Sequence, residues 1–244
     1  MRKDDGVSNV VAMMLLLSVL VICIAVLSSS YIPDLKENAE AMHSQDVKEA
    51  FLRFGSDVDE LFTTAQGGVY TQVFSLGGGD VLLSPSKSGG TVEIQTVNLG
   101  TVTGYSEQIT SVNVTYTPLL PYWEKQGYLF ENGVVWVTKD DRKIPVLSGL
   151  NTVDAGDTRE TETKNAWRSA MQPKLIWKSE DVEYYIQNIV ILSADKNKTY
   201  LSGTSLATLR ITATDVITTT TTTTSADGKT TTTQRVIYAK VSIE

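Results

Sequence analysis

At 244 residues and 26.7 kDa, with a formal charge of −7 and a pI near 4.9, the chain has room for an anchor and one domain with a real core. The acidic balance and the lack of any basic stripe argue against nucleic acid, which needs clustered Lys and Arg. Its one cysteine, Cys23, lies in an apolar run, which excludes an internal disulfide framework and a cysteine-based metal site.

Val10 to Leu27, VVAMMLLLSVLVICIAVL, carries no charge, and Ser18 can return its hydroxyl to its own helix backbone. Extended from Val7 to Ser30, such a helix is roughly 36 Å long against roughly 30 Å of hydrocarbon, so residues 7–30 read as a membrane-spanning helix. Arg2 and Lys3 precede it, while Pro33, Asp34, Lys36, Glu37 and Glu40 follow, a weak excess of positive charge on the N-terminal side. The positive-inside rule then puts the N-terminus in the cytoplasm and everything after Ser30 outside the cell. The competing reading is a secretory signal peptide ending near Ser28 to Ser30, although the segment lacks an A-x-A-like cleavage site.

The charged leader MRKDDG meets the apolar helix directly at Gly6 and Val7, and VSNVVAMMLLL follows. This resembles archaeal type IV pilin-like precursors, the proteins with a class III signal peptide, and in particular an uncharacterised, membrane-anchored, β-rich branch of them. The resemblance implies a leader over residues 1–6, a cut between Gly6 and Val7 by a prepilin-type peptidase, and a retained helix that assembles with copies of itself or with other pilin-like subunits. Asn9 and Ala12 stand where such mature starts often carry proline and glycine, and Asp4 and Asp5 where a basic residue often precedes the cut. A plain signal anchor holding one domain at the membrane would use the same hydrophobicity.

Pro33 is expected to end or kink the first helix, because it lacks an N–H and pushes the preceding residue out of the α region. A second helical stretch should run from Leu35 to Ala65 within a spine over residues 31–66. Val47, Phe51, Phe54, Val58 and Leu61 alternate in steps of four and three and so share one face. Gly55 weakens this helix, and His43, the single histidine, is expected on its surface. The spine resembles that of pilins, and a juxtamembrane stalk or coiled coil would show the same stripe.

After Gly67 and Gly68 the periodicity becomes alternating and rich in Thr, Val, Ile and aromatics, so residues 67–244 read as an extracellular β-rich domain. Strands are expected at Val69–Leu76, Val81–Leu83, Thr91–Asn98, Gln108–Tyr116, Gly127–Phe130, Val134–Thr138 and Tyr184–Leu192, with a long hairpin from Ala207 to Ile243. In YLFENGVVWV, Asn132 and Gly133 supply a two-residue type I′ turn. The element is also similar to a Y-x-Y-E-N-G-x-V/I run in the same archaeal pilin-like proteins. In the last hairpin, Thr218–Thr224 faces Thr230–Thr233. A loop at Asp227 and Gly228 would set Thr224 opposite Thr231, Ile217 opposite Tyr238 and Asp215 opposite Lys240. The reading is a protruding threonine ladder, with a glycosylated, mobile tip as its rival.

Asn113-Val-Thr115 and Asn197-Lys-Thr199 fit the N-glycosylation sequon, Asn197 lying in the more polar turn. The acidic stretch Asp154 to Glu162 lacks the alternating ligands and glycine of a calcium loop and reads as solvated. A Ser-His-Asp triad has no obvious base, and neither a P-loop nor a G-x-G-x-x-G run occurs. Trp123, Trp136, Trp167 and Trp177 with Tyr184 and Tyr185 could line a sugar-binding face, but Trp136 and Tyr184 fall in expected strands and read as core. The expected fold is therefore α+β: a long helix, transmembrane then amphipathic, carrying an antiparallel β-sandwich-like domain of about eight to ten strands. The expected function is a pilin-like subunit of an archaeal surface filament or pseudopilus, without cofactor, metal or enzymatic activity. The alternative is a monomeric, single-pass, membrane-anchored extracellular binding module.

Overall fold

The computed structural model describes residues 4–78, 81, 87–140, 142–147, 160–225 and 228–244. Most of the strand expected at Val81–Leu83 and most of the acidic stretch 154–162 lie outside them.

The chain begins as helix α1 (Asp4–Val26), passes through a π-helical turn at Leu27–Tyr31 and continues as α2 (Ile32–Thr64). Pro33 does not end the helix: it sits in the first turn of α2, where a missing N–H is tolerated. The widened turn just before it absorbs the lost α-type bond, with the Ile32 N–H reaching back five residues to the Leu27 carbonyl. The helix finally stops at Ala65, which adopts φ +50° and donates its N–H to the Leu61 carbonyl.

Eleven strands follow among the described residues, in two sheets. The first contains β1 (Gly68–Ser75), β7 (Lys174–Lys178), β8 (Val182–Ala194), β10 (Leu206–Ser225) and β11 (Gly228–Ile243), in the order β1-β10-β11-β8-β7. The second contains β2 (Gly89–Val102), β3 (Tyr105–Leu119), β4 (Gln126–Glu131), β5 (Val134–Lys139), β6 (Arg142–Leu147) and β9 (Tyr200–Gly203), in the order β6-β5-β4-β3-β2-β9. All pairings are antiparallel except β8 with β11, which run parallel. The sheets face each other through bonds such as Thr110 Oγ1 to the Leu192 carbonyl at 2.7 Å and Tyr105 to Tyr238 at 2.8 Å.

Helix α2 touches strands of both sheets, and its stripe is the spine of the core: Val47, Phe51, Phe54, Val58 and Leu61 are each 0 % exposed. The Phe51 ring meets Phe74 of one sheet and Tyr128 of the other, Phe54 stands edge-on to Phe130 at 5.0 Å, and Phe62 meets Trp167 of α3 (Glu160–Ala170). The helix can come this close because Gly55 has no side chain. A Cβ there would lie 2.9 Å from Val135 Cγ2 and 3.0 Å from Leu147 Cδ2.

The Asn132-Gly133 turn has φ of +51° and +80°, both positive as a type I′ turn requires, and joins β4 to β5 with Glu131 opposite Val134. The final hairpin differs from expectation in register. Thr222 pairs with Thr231 and Asp215 with Tyr238, and after a bulge between Ala213 and Asp215, Thr212 pairs with Lys240. The cause is β8. Lys229 donates to the Asp181 carbonyl, and a Cβ on Gly228 would come within 3.0 Å of that oxygen, so Gly228 serves the approach of β11 to β8 and the hairpin closes from Ser225 to Gly228. With β8 on its other side, β11 is an interior strand, and the free edge of the hairpin is that of β10.

Replacing Gly55 by valine should lower the unfolding free energy of the full chain by about 1–3 kcal/mol despite the gain in helix propensity, because overpacking at the helix–sheet contact outweighs it. Urea unfolding in detergent micelles, followed by tryptophan fluorescence, measures this; an unchanged midpoint would mean that the sheet yields without cost.

Candidate functional site

The described part of α1 is apolar around its whole circumference. Fourteen large apolar side chains between Val10 and Leu27 are 49–71 % exposed, and the domain covers none of that face. The Ser18 hydroxyl is returned to the Met14 carbonyl at 2.8 Å, so it leaves no stray donor on the surface. Exposing these side chains to water would cost on the order of tens of kcal/mol. Among the described residues this is the one helix long and apolar enough to cross a membrane, which fits single-pass anchoring. The backbone of Gly6 and Val7 lies in the first turns of α1.

Between this surface and the core, the buried stripe of α2 changes character. Continued downward from Val47 in the same steps, it comprises Ser44, His43, Glu40 and Lys36, all buried. Glu40 Oε2 accepts the backbone N–H groups of Tyr122 and Trp123 at 2.9 and 2.7 Å, and its Oε1 accepts the Ser88 hydroxyl. One turn below, the Lys36 ammonium stands 5.1 Å from the centroid of the Tyr122 ring. The segment around Tyr122 thus closes on the helix like a clasp.

His43 is 5 % exposed, not on the surface as its sequence position suggested. It faces the sheets because it lies four residues before Val47, on the same stripe. Its Nε2 shares a hydrogen bond with the Tyr116 hydroxyl at 3.1 Å, and that hydroxyl also reaches the Leu76 carbonyl at 3.1 Å. The ring is hemmed in by Gly78, where a Cβ would come 2.4 Å from His43. Ser44 bonds the Tyr128 hydroxyl at 2.9 Å. Burial pushes the imidazole below its usual 6.5, opposed by a bond to the Leu76 backbone and by the carboxylates of Asp46 and Glu40. Burial likewise raises the Tyr116 and Tyr128 hydroxyls, which stay protonated donors.

The remaining sequence-derived positions are dispersed. Asn197 is exposed in the turn between β8 and β9, whereas Asn113 is half-buried within β3, opposite Gln95. Trp136 and Trp167 are buried core residues. Tyr184 is not: it is 44 % exposed and pairs with Trp177, 53 % exposed, at a ring separation of 5.4 Å, because β7 and this end of β8 extend beyond the cover of the second sheet. Lys178 and Glu183 form an ion pair at 2.6 Å beside them. From sequence alone, His43 reads as surface and Glu40 only as a charge beyond the membrane segment, although the stripe that marks Val47 to Leu61 continues through both and through Lys36.

Residues 6–146, more than half of the chain, match a family of unknown function, DUF7289. The matched region opens at Gly6, just after the charged residues 2–5, and closes within β6. No curated protein and no solved structure matches.

A histidine held neutral in the fold and free to protonate when unfolded contributes stability that is complete above pH 6.5 and is lost as pH falls from there through the lower value it has in the fold. The melting temperature of the full chain in detergent should therefore drop between pH 7.5 and 5.5. His43→Gln keeps a donor for Tyr116 but cannot take up the proton, so its profile over that interval should be flatter; a parallel profile would assign the acid sensitivity elsewhere.

Proposed function

The chain belongs to DUF7289, a family of unknown function, and from that premise we propose that it is a pilin-like subunit of an archaeal cell-surface filament or pseudopilus. The observation that carries the reading is the continuity of the helix. An apolar segment exposed on every side runs without a break into a spine clamped between two sheets, so the segment and the domain are one mechanical unit. Such a helix needs a partner for its whole surface. Lipid supplies it before assembly and the helices of neighbouring subunits supply it afterwards. A removable signal peptide has no need of a rigid connection to the core. That the family match opens at Gly6 also supports treating residues 1–6 as a separate leader.

In this reading a prepilin-type peptidase cuts between Gly6 and Val7, and residues 7–30 are first the anchor and then the assembly face. The N-terminus faces the cytoplasm and the β domain lies outside, where Asn113 and Asn197 meet the glycosylation machinery, Asn197 with the better access. The protein works by burial and carries out no reaction. The exposed Trp177–Tyr184 pair favours a second reading, a monomeric anchored module that binds a glycan or wall polymer on that aromatic surface.

Intact mass and N-terminal sequencing of the protein from native membranes test the proposal. A chain beginning at Val7 is expected, together with pelletable fibres in sheared surface material. A chain beginning at Met1 would overturn it in favour of a signal-anchored module, and a start just after Ser30 would make the helix a secretion signal only.

A further inference from the structure

Sheet edges present unpaired N–H and C=O groups, and proteins blunt them with charges, proline, bulges, brevity or a covering element. Four edges here are blunted. β9 is four residues long, β6 carries Arg142, Lys143 and Pro145, and β7 is five residues long, bulged between Leu175 and Trp177 and flanked by Lys174 and Lys178. β1 lies against α2, where Gln72 donates to Asp57 at 2.7 Å. β10 is different. Its pairing with β1 ends at Ala213, and beyond the bulge the stretch Val216 to Ser225 is, among the described residues, paired with β11 on one side only.

This open stretch, VITTTTTTTS, has no charge, no proline and no glycine, and all of Thr218 to Ser225 is exposed. Uncharged β-branched runs of six or seven residues are the sort of segment that pairs with another strand. What it would pair with is indicated by the strand it already has. On its inner side the tract lies against another threonine run, with Thr220 and Thr222 hydroxyls 3.4 and 3.2 Å from those of Thr233 and Thr231. A uniform tract is complementary to itself in antiparallel alignment, because any shift by two residues restores identical pairs.

The geometry points to a second copy of this chain as the occupant: the free edge of β10 pairs antiparallel with the same edge of another molecule, about a two-fold axis within Thr219–Thr223, joining two five-stranded sheets into one. Such a contact is isologous and closes on itself, so it makes pairs of β domains and leaves any polymerisation to the helix. It goes beyond the filament reading and does not depend on processing at Gly6, since a chain still beginning at Met1 would present the same edge.

The test uses the full chain in mild detergent with Cys23→Ser, placing a single cysteine in turn at positions 219 to 223 and, as control, Thr232→Cys on the interior strand β11. Disulfides need Cα atoms about 4.4–6.8 Å apart, so oxidation should give covalent dimer at one or more of the five positions, at least about tenfold over the control. Thr221→Lys, which sets like charges across the axis, should abolish the dimer trapped by an amine-independent cross-linker while leaving the melting temperature unchanged. A yield at positions 219 to 223 no higher than at Thr232→Cys, or dimer only when Thr221→Cys is combined with Ile176→Cys, which would mean head-to-tail pairing with β7, overturns the inference. So do hexose increments on Thr218–Thr224 in the intact mass, because glycans there would cap the edge.

Discussion

One helix in this protein has to be buried in two unlike surroundings, and the rest of the structure follows from that constraint. From Val10 to Leu27 its apolar side chains point in every direction, which suits lipid or a ring of similar helices. From Val47 to Phe62 only one stripe is apolar, and it fits a seam bounded by both sheets. The two regimes cannot merge without ambiguity, since an unbroken apolar helix carries no mark of where lipid ends and protein begins. Lys36, Glu40 and His43 provide that mark. Each is a polar group on the buried stripe whose partners, Tyr122, Trp123, Ser88 and Tyr116, belong to the β domain. Sliding the helix by one turn would strand them, and a buried carboxylate without donors is costly enough to forbid it.

The same constraint explains the widened turn at Leu27–Tyr31. A proline inside a helix removes one bond and crowds the preceding turn, and the usual outcomes are a kink or a stop. A π turn lets the chain keep helical dihedrals through Tyr31 and Ile32. The cost of the lost bond is confined to five residues at the end of the apolar segment, so the anchor remains coupled to the spine.

Much of this could be read in the sequence where a local rule and the tertiary fold agree. The stripe Val47, Phe51, Phe54, Val58, Leu61 is fully buried, and Asn132-Gly133 turns as its left-handed preference dictates. Legibility failed where a residue serves a distant neighbour. Gly228 looks like half of a turn, yet it is needed for the Asp181 carbonyl; His43 looks like surface until the helical stripe is followed beyond its apolar part. The strands β6, β7 and β9 and the helix α3 were not anticipated, because they are short and owe their form to the strands and core they lie against rather than to their own pattern. The parallel pairing of β8 with β11 was beyond reach for a related reason, since nothing within either strand specifies the direction of its neighbour.

The extent of the family match bears on how the domain holds together. Residues 6–146 include nearly all of the helix, the second sheet except β9 and the last residue of β6, and β1, but among the described residues β1 finds its only strand partner in β10. The matched region would thus leave β1 unpaired, and the seam around Phe51 and Leu61 open on one side. Residues 182–243 close it by bringing Ile189, Leu192, Leu209, Ile211 and Ile237 into the core. The matched part therefore holds the anchor, the clasp and one sheet, while the rest completes the core and carries the features that face outward: the exposed Trp177–Tyr184 pair and the threonine edge. A division of this kind lets the exposed surface vary without disturbing the clasp, because the strands that bear it touch the helix through apolar contacts and, at the far end of the spine, through a bond from Asn188 to the Phe62 carbonyl.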